Sequence, residues 1–179
     1  GLASMGYGIA ASVGAAFSTH EPTVICISGD GGIQMNTQEL QTISYYRLPI
    51  KIFVLNNHGY LTIRHTQRNI LNGNLAGSSS ETGVDCPNFE ELSKAYGIDY
   101  YRYSRSSELP QNMPEWLSDR KPAICEIIMP REQPLVPKSG IKIRPDGKIY
   151  SPPLEDLYPY LDSEELENNM IVPMVKDGE

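Results

Sequence analysis

The chain has 179 residues, of which 40% are hydrophobic and 21% charged, and a formal net charge of −7. That length accommodates one domain of ordinary size with a real core, in a composition typical of soluble globular proteins. The acidic balance argues against nucleic acid or an anionic membrane as a bulk partner, and no apolar run approaches the ~20 residues of a membrane span.

The three cysteines, Cys26, Cys86 and Cys125, are odd in number and widely spaced. They suggest neither a disulfide framework nor a zinc site, but reduced thiols in a cytoplasmic protein. The first residues, Gly1-Leu2-Ala3-Ser4-Met5, already lie in a structured-looking segment, and the chain reads as part of something longer. Residues 6–17 are rich in Gly and Ala and predict a helix that lets another backbone or a ligand come close. Thr23–Ser28 (TVICIS) is a short apolar run of the kind that forms a buried parallel strand, and it ends in Gly29-Asp30-Gly31-Gly32. Asn36 and Glu39 have the spacing of a capping box, which predicts a helix from there to about Tyr46. Pro49 precedes a second buried strand, Ile50–Leu55, which ends in Asn56-Asn57-His58-Gly59. Together these elements form a βαβ unit.

Residues 60–70 read as helix and 71–87 as a long polar loop, a length usually associated with function or mobility. Asn88–Tyr96 is a helix with Asn88 as its cap and Gly97 as its terminator. Asp99–Tyr103 is a strand, 107–118 a helix broken by Pro110 and Pro114, and Ala123–Met129 a final buried strand. Beyond Pro130 the many prolines exclude long regular elements. Residues 143–149 read as a hairpin about Pro145-Asp146-Gly147, and 162–170 as a short helix. The expected organisation is an α/β domain over 1–129, with an open, mainly parallel sheet and helices on both faces. An extended Pro-rich tail follows over 130–179.

The turns that follow the two strands carry the chemical signal. In an open parallel sheet, ligands bind beyond the C-terminal strand ends. Glycines around Asp30 permit a sharp turn and close backbone approach, and N–H groups there favour a phosphate. A hard cation such as Mg2+ takes oxygen ligands, a few from protein and the rest from phosphate and water. Asp30 offers a carboxylate, Asn57 an amide oxygen and Gly59 a backbone carbonyl. With only one charged ligand, the set suits a metal balanced by a diphosphate. Neither G-x-G-x-x-G after a strand nor G-x-x-x-x-G-K-[ST] is present, which argues against a generic nucleotide-binding module.

Gly29-Asp30-Gly31, 24 residues, then Asn56-Asn57 resembles the thiamine diphosphate signature. The segments GLASMGYGIAASVGAAF and LPIKIFVLNN are similar to those of acetolactate synthases, so that residues 1 to about 129 resemble the C-terminal cofactor domain of that superfamily. The resemblance implies thiamine diphosphate and Mg2+ as cofactors, with Asp30, Asn57 and the Gly59 carbonyl on the metal. It has Gly31 and Gly32 face the diphosphate and counts Gly29 and Tyr60 among the cofactor-binding residues. It places the backbones of Ala3 and Met5 on the aminopyrimidine and the Met5 side chain under the thiazolium. It implies a transferase or lyase acting on small 2-oxo acids by decarboxylation and carboligation. The activating glutamate is expected in a pyrimidine-binding domain from a second subunit of a homodimer or homotetramer, so no catalytic residue is assigned here and the isolated chain is expected to be inactive.

Where acetolactate synthases carry a Met-Val pair and then a Trp, this chain has Tyr60-Leu61-Thr62-Ile63-Arg64-His65-Thr66-Gln67. Thr62 stands near the Met position and Thr66 near the Trp, which opens the way to a relative with another acceptor, a decarboxylase or C–C lyase. A non-catalytic homologue serving assembly is the competing reading. His58 reads as a surface turn residue, and His20 and His65 carry no assigned role. Arg64 and Gln67 face either a substrate channel or solvent. Lys138, Lys142, Arg144 and Lys148 read as a solvated charge run.

Overall fold

The structure, a computed structural model, describes residues 2–18, 23–111, 113–144 and 146–174. His20 and Pro145 fall outside them. The chain divides into two compact units, Gly1–Gln133 and Pro134–Glu179. The division falls a few residues beyond the composition shift at Pro130.

The first unit is built on a four-stranded sheet ordered β1-β2-β4-β3. Its strands are β1 (Val24–Gly29), β2 (Ile50–Asn56), β3 (Asp99–Tyr103) and β4 (Ala123–Ile128). All three strand pairs are parallel. Because a parallel pair needs a crossover, the helices intervene: α1 (Tyr7–Ser18), α2 (Asp30–Ile33), α3 (Glu39–Tyr46), α4 (Leu61–Ile70), α5 (Phe89–Tyr96) and α6 (Met113–Ser118). Side chains alternate across a strand, so each strand feeds two layers. Cys26, Ile52, Val54 and Ile124 pack with Ile9 of α1, Leu40 and Ile43 of α3 and Phe89 of α5. On the opposite face Phe53 and Tyr101 meet the Trp116 ring of α6 edge-on, with centroids 5.8 and 5.4 Å away. The Lys51 amine lies 4.8 Å over that ring and donates to the Lys121 carbonyl at 2.7 Å, and its burial lowers its pKa. Helices therefore cover both faces, as expected for an α/β domain of this kind. Ile25 and Ile27 of the edge strand β1 remain exposed.

One cap differs from expectation. The stretch after β1 turns immediately into α2, passes through a 3-10 turn at Gln34–Asn36, and only then enters α3. Gln38, not Asn36, precedes α3. The Asn36 amide is used elsewhere: it donates to the Gly6 carbonyl at 3.0 Å and accepts from Gln38 at 3.0 Å. Glu39 accepts from Thr42 instead of reaching back. By contrast, Asn88 caps α5 by accepting from the N–H groups of Glu90 and Glu91, and Gly97 ends the helix at φ +66°. Residues 107–118 resolve into a 3-10 turn at Ser106–Glu108 and the short α6, with Pro114 in its first turn.

The second unit holds the antiparallel hairpin β5 (Lys142–Ile143) and β6 (Ile149–Tyr150), and α7 (Ser163–Asn169), capped by Asp162. Of the cations read as a solvated run, Lys148 is exposed as such a run would be, but the other three stand over rings. Lys138 stands over Tyr158, Lys142 over Tyr160 and Arg144 over Tyr150, at 5.9, 4.2 and 4.8 Å, and Lys142 also pairs with Asp156. Among the described residues no helix is long and apolar enough to cross a membrane.

Candidate functional site

Gly29 lies opposite Leu55 in the register, so β1 and β2 end at the same rim and deliver their turns side by side. Asp30, at 1% exposure, joins those turns. One carboxylate oxygen accepts the Gly31 N–H at 2.9 Å, and the other accepts the Gly59 N–H at 2.7 Å. Two residues before Gly59, the Asn57 amide oxygen is buried with no hydrogen-bond partner. Such an acceptor costs about 1–3 kcal/mol unless something satisfies it. Gly59 has φ +123°, and a Cβ there would stand 2.4 Å from the Ser78 carbonyl oxygen. Only glycine fits. The three residues singled out as metal ligands thus share one rim, while among the described residues no group of three or more His, Cys, Asp or Glu could hold a metal.

The first Asn of the pair has a different job from the second. The Asn56 amide donates to Glu126 of β4, and its oxygen accepts the His58 N–H at 2.9 Å. That local bond supports the left-handed His58, at φ 59°, whose side chain is exposed as a turn residue's should be. Glu126 is buried and also accepts from the Tyr100 hydroxyl, with Arg102 at 3.6 Å. Burial and the bond to Glu126 raise the Tyr100 phenol pKa.

Arg64 points neither into a channel nor to solvent. It is fully buried, with its guanidinium donating to main-chain carbonyls, two of them in the turn 56–59. Gln67 holds Ala76 of the long loop through both of its side-chain amide atoms. Arg64 and Leu61 are the buried residues of α4, three apart. An arginine on the same stripe as a core leucine was the available sequence signal. Nothing in the sequence marked Glu126 or Ser78 as partners of the turn. The long loop also reaches the 3-10 turn beyond α2, where Gln34 donates to the Asp85 carbonyl and to the Cys86 sulfur. Burial, and then the nearby Asp30 carboxylate, push the Cys86 thiol up to about 11. All three cysteines are free.

The remaining expected site residues form an adjoining group. Ala3, Met5, Gly29 and Gly32 line a cavity of about 580 Å³, along with Leu2, Ile27 and Ser28. Ala3 is left-handed at φ 50°, and Met5 is 48% exposed. Gly31 is not open in the way expected of a residue facing a diphosphate. Its N–H is given to Asp30, and the Tyr60 ring covers it so closely that a Cβ would stand 2.1 Å from a ring carbon.

Residues 1–127 match the family described as thiamine pyrophosphate enzyme, C-terminal TPP binding domain. The chain belongs to that family. It is 34% identical over 137 residues to an acetolactate synthase of Arthrospira platensis, covering 76% of this chain and 23% of the relative. It is 40% identical over 119 residues to the acetolactate synthase large subunit of Porphyra purpurea, covering 66% of this chain and 19% of that one. The solved thiamine diphosphate-dependent 4-hydroxybenzoylformate decarboxylase of Rhodococcus jostii RHA1 superposes with a TM-score of 0.62 at 26% identity, over 72% of this chain and 24% of that chain. The chain therefore spans about a quarter, or less, of the length of these relatives. As a thiamine pyrophosphate enzyme domain, it carries its GDG and NN segments at the adjoining ends of β1 and β2.

Proposed function

We propose that this domain grips thiamine diphosphate through Mg2+, with the Asp30 carboxylate, the Asn57 amide oxygen and the Gly59 carbonyl as the protein's metal ligands. The observation that carries the reading is the buried, unpartnered Asn57 oxygen, in a turn that Asp30 holds by hydrogen bond. The donor set fits the ion: three hard oxygens and one negative charge, leaving positions for phosphate and water. Each Asp30 oxygen accepts one N–H and retains a lone pair. Gly29, Gly32 and the cavity beside them suit the diphosphate. The backbones of Ala3 and Met5 suit the aminopyrimidine, with Met5 beneath the thiazolium. Tyr60 would shield the diphosphate end from its place over Gly31.

When bound, thiamine diphosphate supplies the carbanion chemistry that decarboxylates a 2-oxo acid. This chain's residues hold and orient it. The activating glutamate belongs to a pyrimidine-binding domain of a second subunit, so the working enzyme is a homodimer or homotetramer, acts in the cytoplasm, and is inactive as the isolated chain. We read the reaction as acetolactate synthase-like decarboxylation and carboligation. One observation favours a second reading, a decarboxylase or lyase with another acceptor: Thr62 and Thr66, both exposed, stand where the resemblance calls for Met and Trp.

Calorimetric titration of the full-length protein with thiamine diphosphate, with and without Mg2+, tests this. Magnesium-dependent binding that weakens about 100-fold or more in Asp30→Ala is expected, since losing even an outer-shell partner of a metal costs up to about 100-fold. Binding indifferent to Asp30→Ala removes the metal assignment. No binding in the wild type favours a non-catalytic assembly subunit.

A further inference from the structure

We propose that Arg64 is a positioning residue that decides which oxygens of the turn after β2 are offered to the metal. The inference rests on the magnesium reading above. A buried guanidinium is costly, and an apolar side chain would fill the space with less penalty. Arg64 is 0% exposed and has only a loose counter-ion: its Nε lies 3.6 Å from a Glu132 oxygen, an ion-pair distance too long for a hydrogen bond. Carbonyls compensate it. One terminal nitrogen donates to Ser78 at 2.9 Å and His58 at 3.4 Å, and the other to Asn57 at 3.0 Å and Arg131 at 2.7 Å. Charge-assisted bonds of this kind are about twice as strong as neutral ones. They tie three segments together: the turn, the long loop and the exit from β4.

The consequence appears when the turn's acceptors are followed one by one. The Asn56 carbonyl accepts the Met129 N–H, and the Asn56 amide oxygen accepts the His58 N–H. The Asn57 and His58 carbonyls accept from Arg64, and the Tyr60 carbonyl accepts the Arg64 N–H. Among the described residues, the Asn57 side-chain oxygen and the Gly59 carbonyl are left without a donor. These are the two oxygens that, with Asp30, make the proposed ligand set. Arg64 withdraws the competing carbonyls on either side of His58 and fixes both peptide planes. Mg2+ demands near-ideal octahedral geometry, whereas Ca2+ tolerates irregular sites. A residue that sets oxygen placement therefore controls the preference between the two ions as well as overall stability.

The test is Mg2+ and Ca2+ titration of the full-length protein at saturating thiamine diphosphate. In Arg64→Lys, which keeps the charge and loses the fork, Mg2+ affinity falls about 10-fold or more and Ca2+ affinity less than about 3-fold, so the preference shifts toward Ca2+. Should Arg64→Lys fail to fold, Glu132→Gln keeps Arg64 buried but removes its counter-ion, and the same ratio falls by about 3-fold. A ratio unchanged in whichever variant folds, or both affinities lost in equal proportion, overturns the proposal. Absence of magnesium-dependent binding in the wild type overturns the underlying reading, and this proposal with it.

Discussion

Two turns at one rim of the same sheet are built in opposite ways. The turn after β1 is local: Asp30 bonds the next N–H, the backbone coils at once into α2, and small residues border an open cavity. The turn after β2 is held from a distance, by Glu126 of β4, by Arg64 of α4, by the Ser78 carbonyl on the Tyr60 N–H, and by Asp30 itself. The first turn owes its shape mainly to glycine. In the second, the Asn56 side chain and the Asn56, Asn57 and His58 carbonyls are all engaged, and among the described residues the proposed ligand oxygens of Asn57 and Gly59 are left without a donor. One yielding wall and one rigid wall thus meet at a single carboxylate, Asp30, which bonds an N–H of each turn.

The glycines of the two turns give the largest expected difference. Gly59→Ala forces a left-handed alanine against a backbone carbonyl, which has nowhere to move, and should cost about 3 kcal/mol or more. Gly31→Ala meets the Tyr60 ring first, a side chain that can swing aside, and should cost about 1–3 kcal/mol. Denaturant unfolding measures both. Tyr60→Ala in the Gly31→Ala background should recover most of the loss, whereas no single side-chain change should rescue Gly59→Ala. Equal costs would erase the contrast between a yielding and a rigid wall.

The paired asparagines sharpen the same contrast on a smaller scale. Asn56→Ala strands one oxygen of Glu126 and the His58 N–H, and should destabilise the fold by about 1–3 kcal/mol. Asn57→Ala removes an acceptor that already lacks a partner, so stability should stay within about 0.5 kcal/mol or rise. Magnesium-dependent cofactor binding should nevertheless collapse. Melting curves paired with calorimetry check this. A strongly destabilised Asn57→Ala would mean that the side chain has a structural role after all.

These substitutions also mark how far the amino-acid sequence could be read. The strands, α5 with its Asn88 cap, and the two turns proposed to carry the ligands follow from short-range signals: apolar runs, a side chain two residues from the N–H it accepts, glycine where φ is positive. The spacing between Asp30 and Asn57 was readable because one crossover fixes it. Asn36 misled because a helix cap and a tether to Gly6 use the same amide. The roles of Arg64 and Glu126 lay out of reach for different reasons: Arg64 bonds main-chain carbonyls, which every residue possesses, at separations from 6 to 67 residues, and Glu126 meets side chains 26 and 70 residues away. The Tyr60 ring over Gly31 is equally non-local: a glycine shows that something comes close, not whether it is a ligand or a neighbouring side chain.

The smallest effect concerns the outer fastening of the rigid wall. Arg131, whose carbonyl Arg64 uses, pairs through both terminal nitrogens with Glu81 of the long loop. The guanidinium first, and then backbone and Ser79 hydrogen bonds, lower the Glu81 carboxyl from its ordinary 4.5 to about 2. A carboxyl whose pKa is depressed in the folded state contributes stability that is fully present above its unfolded value. That contribution declines as pH falls from about 4.5 and is gone once pH drops through about 2. Both side chains are exposed, so the energy involved is small and screened by salt. The Glu81 carboxyl resonance should therefore titrate near 2, and signals from Ser78 to Thr82 should broaden over the same window as the loop loosens. In Glu81→Gln that broadening should be present at neutral pH and show no further change on acidification. The turn after β1, which makes no use of this pair, should keep its signals throughout; if both turns loosen together, the loop is a lid over the whole rim and not the fastening of one wall.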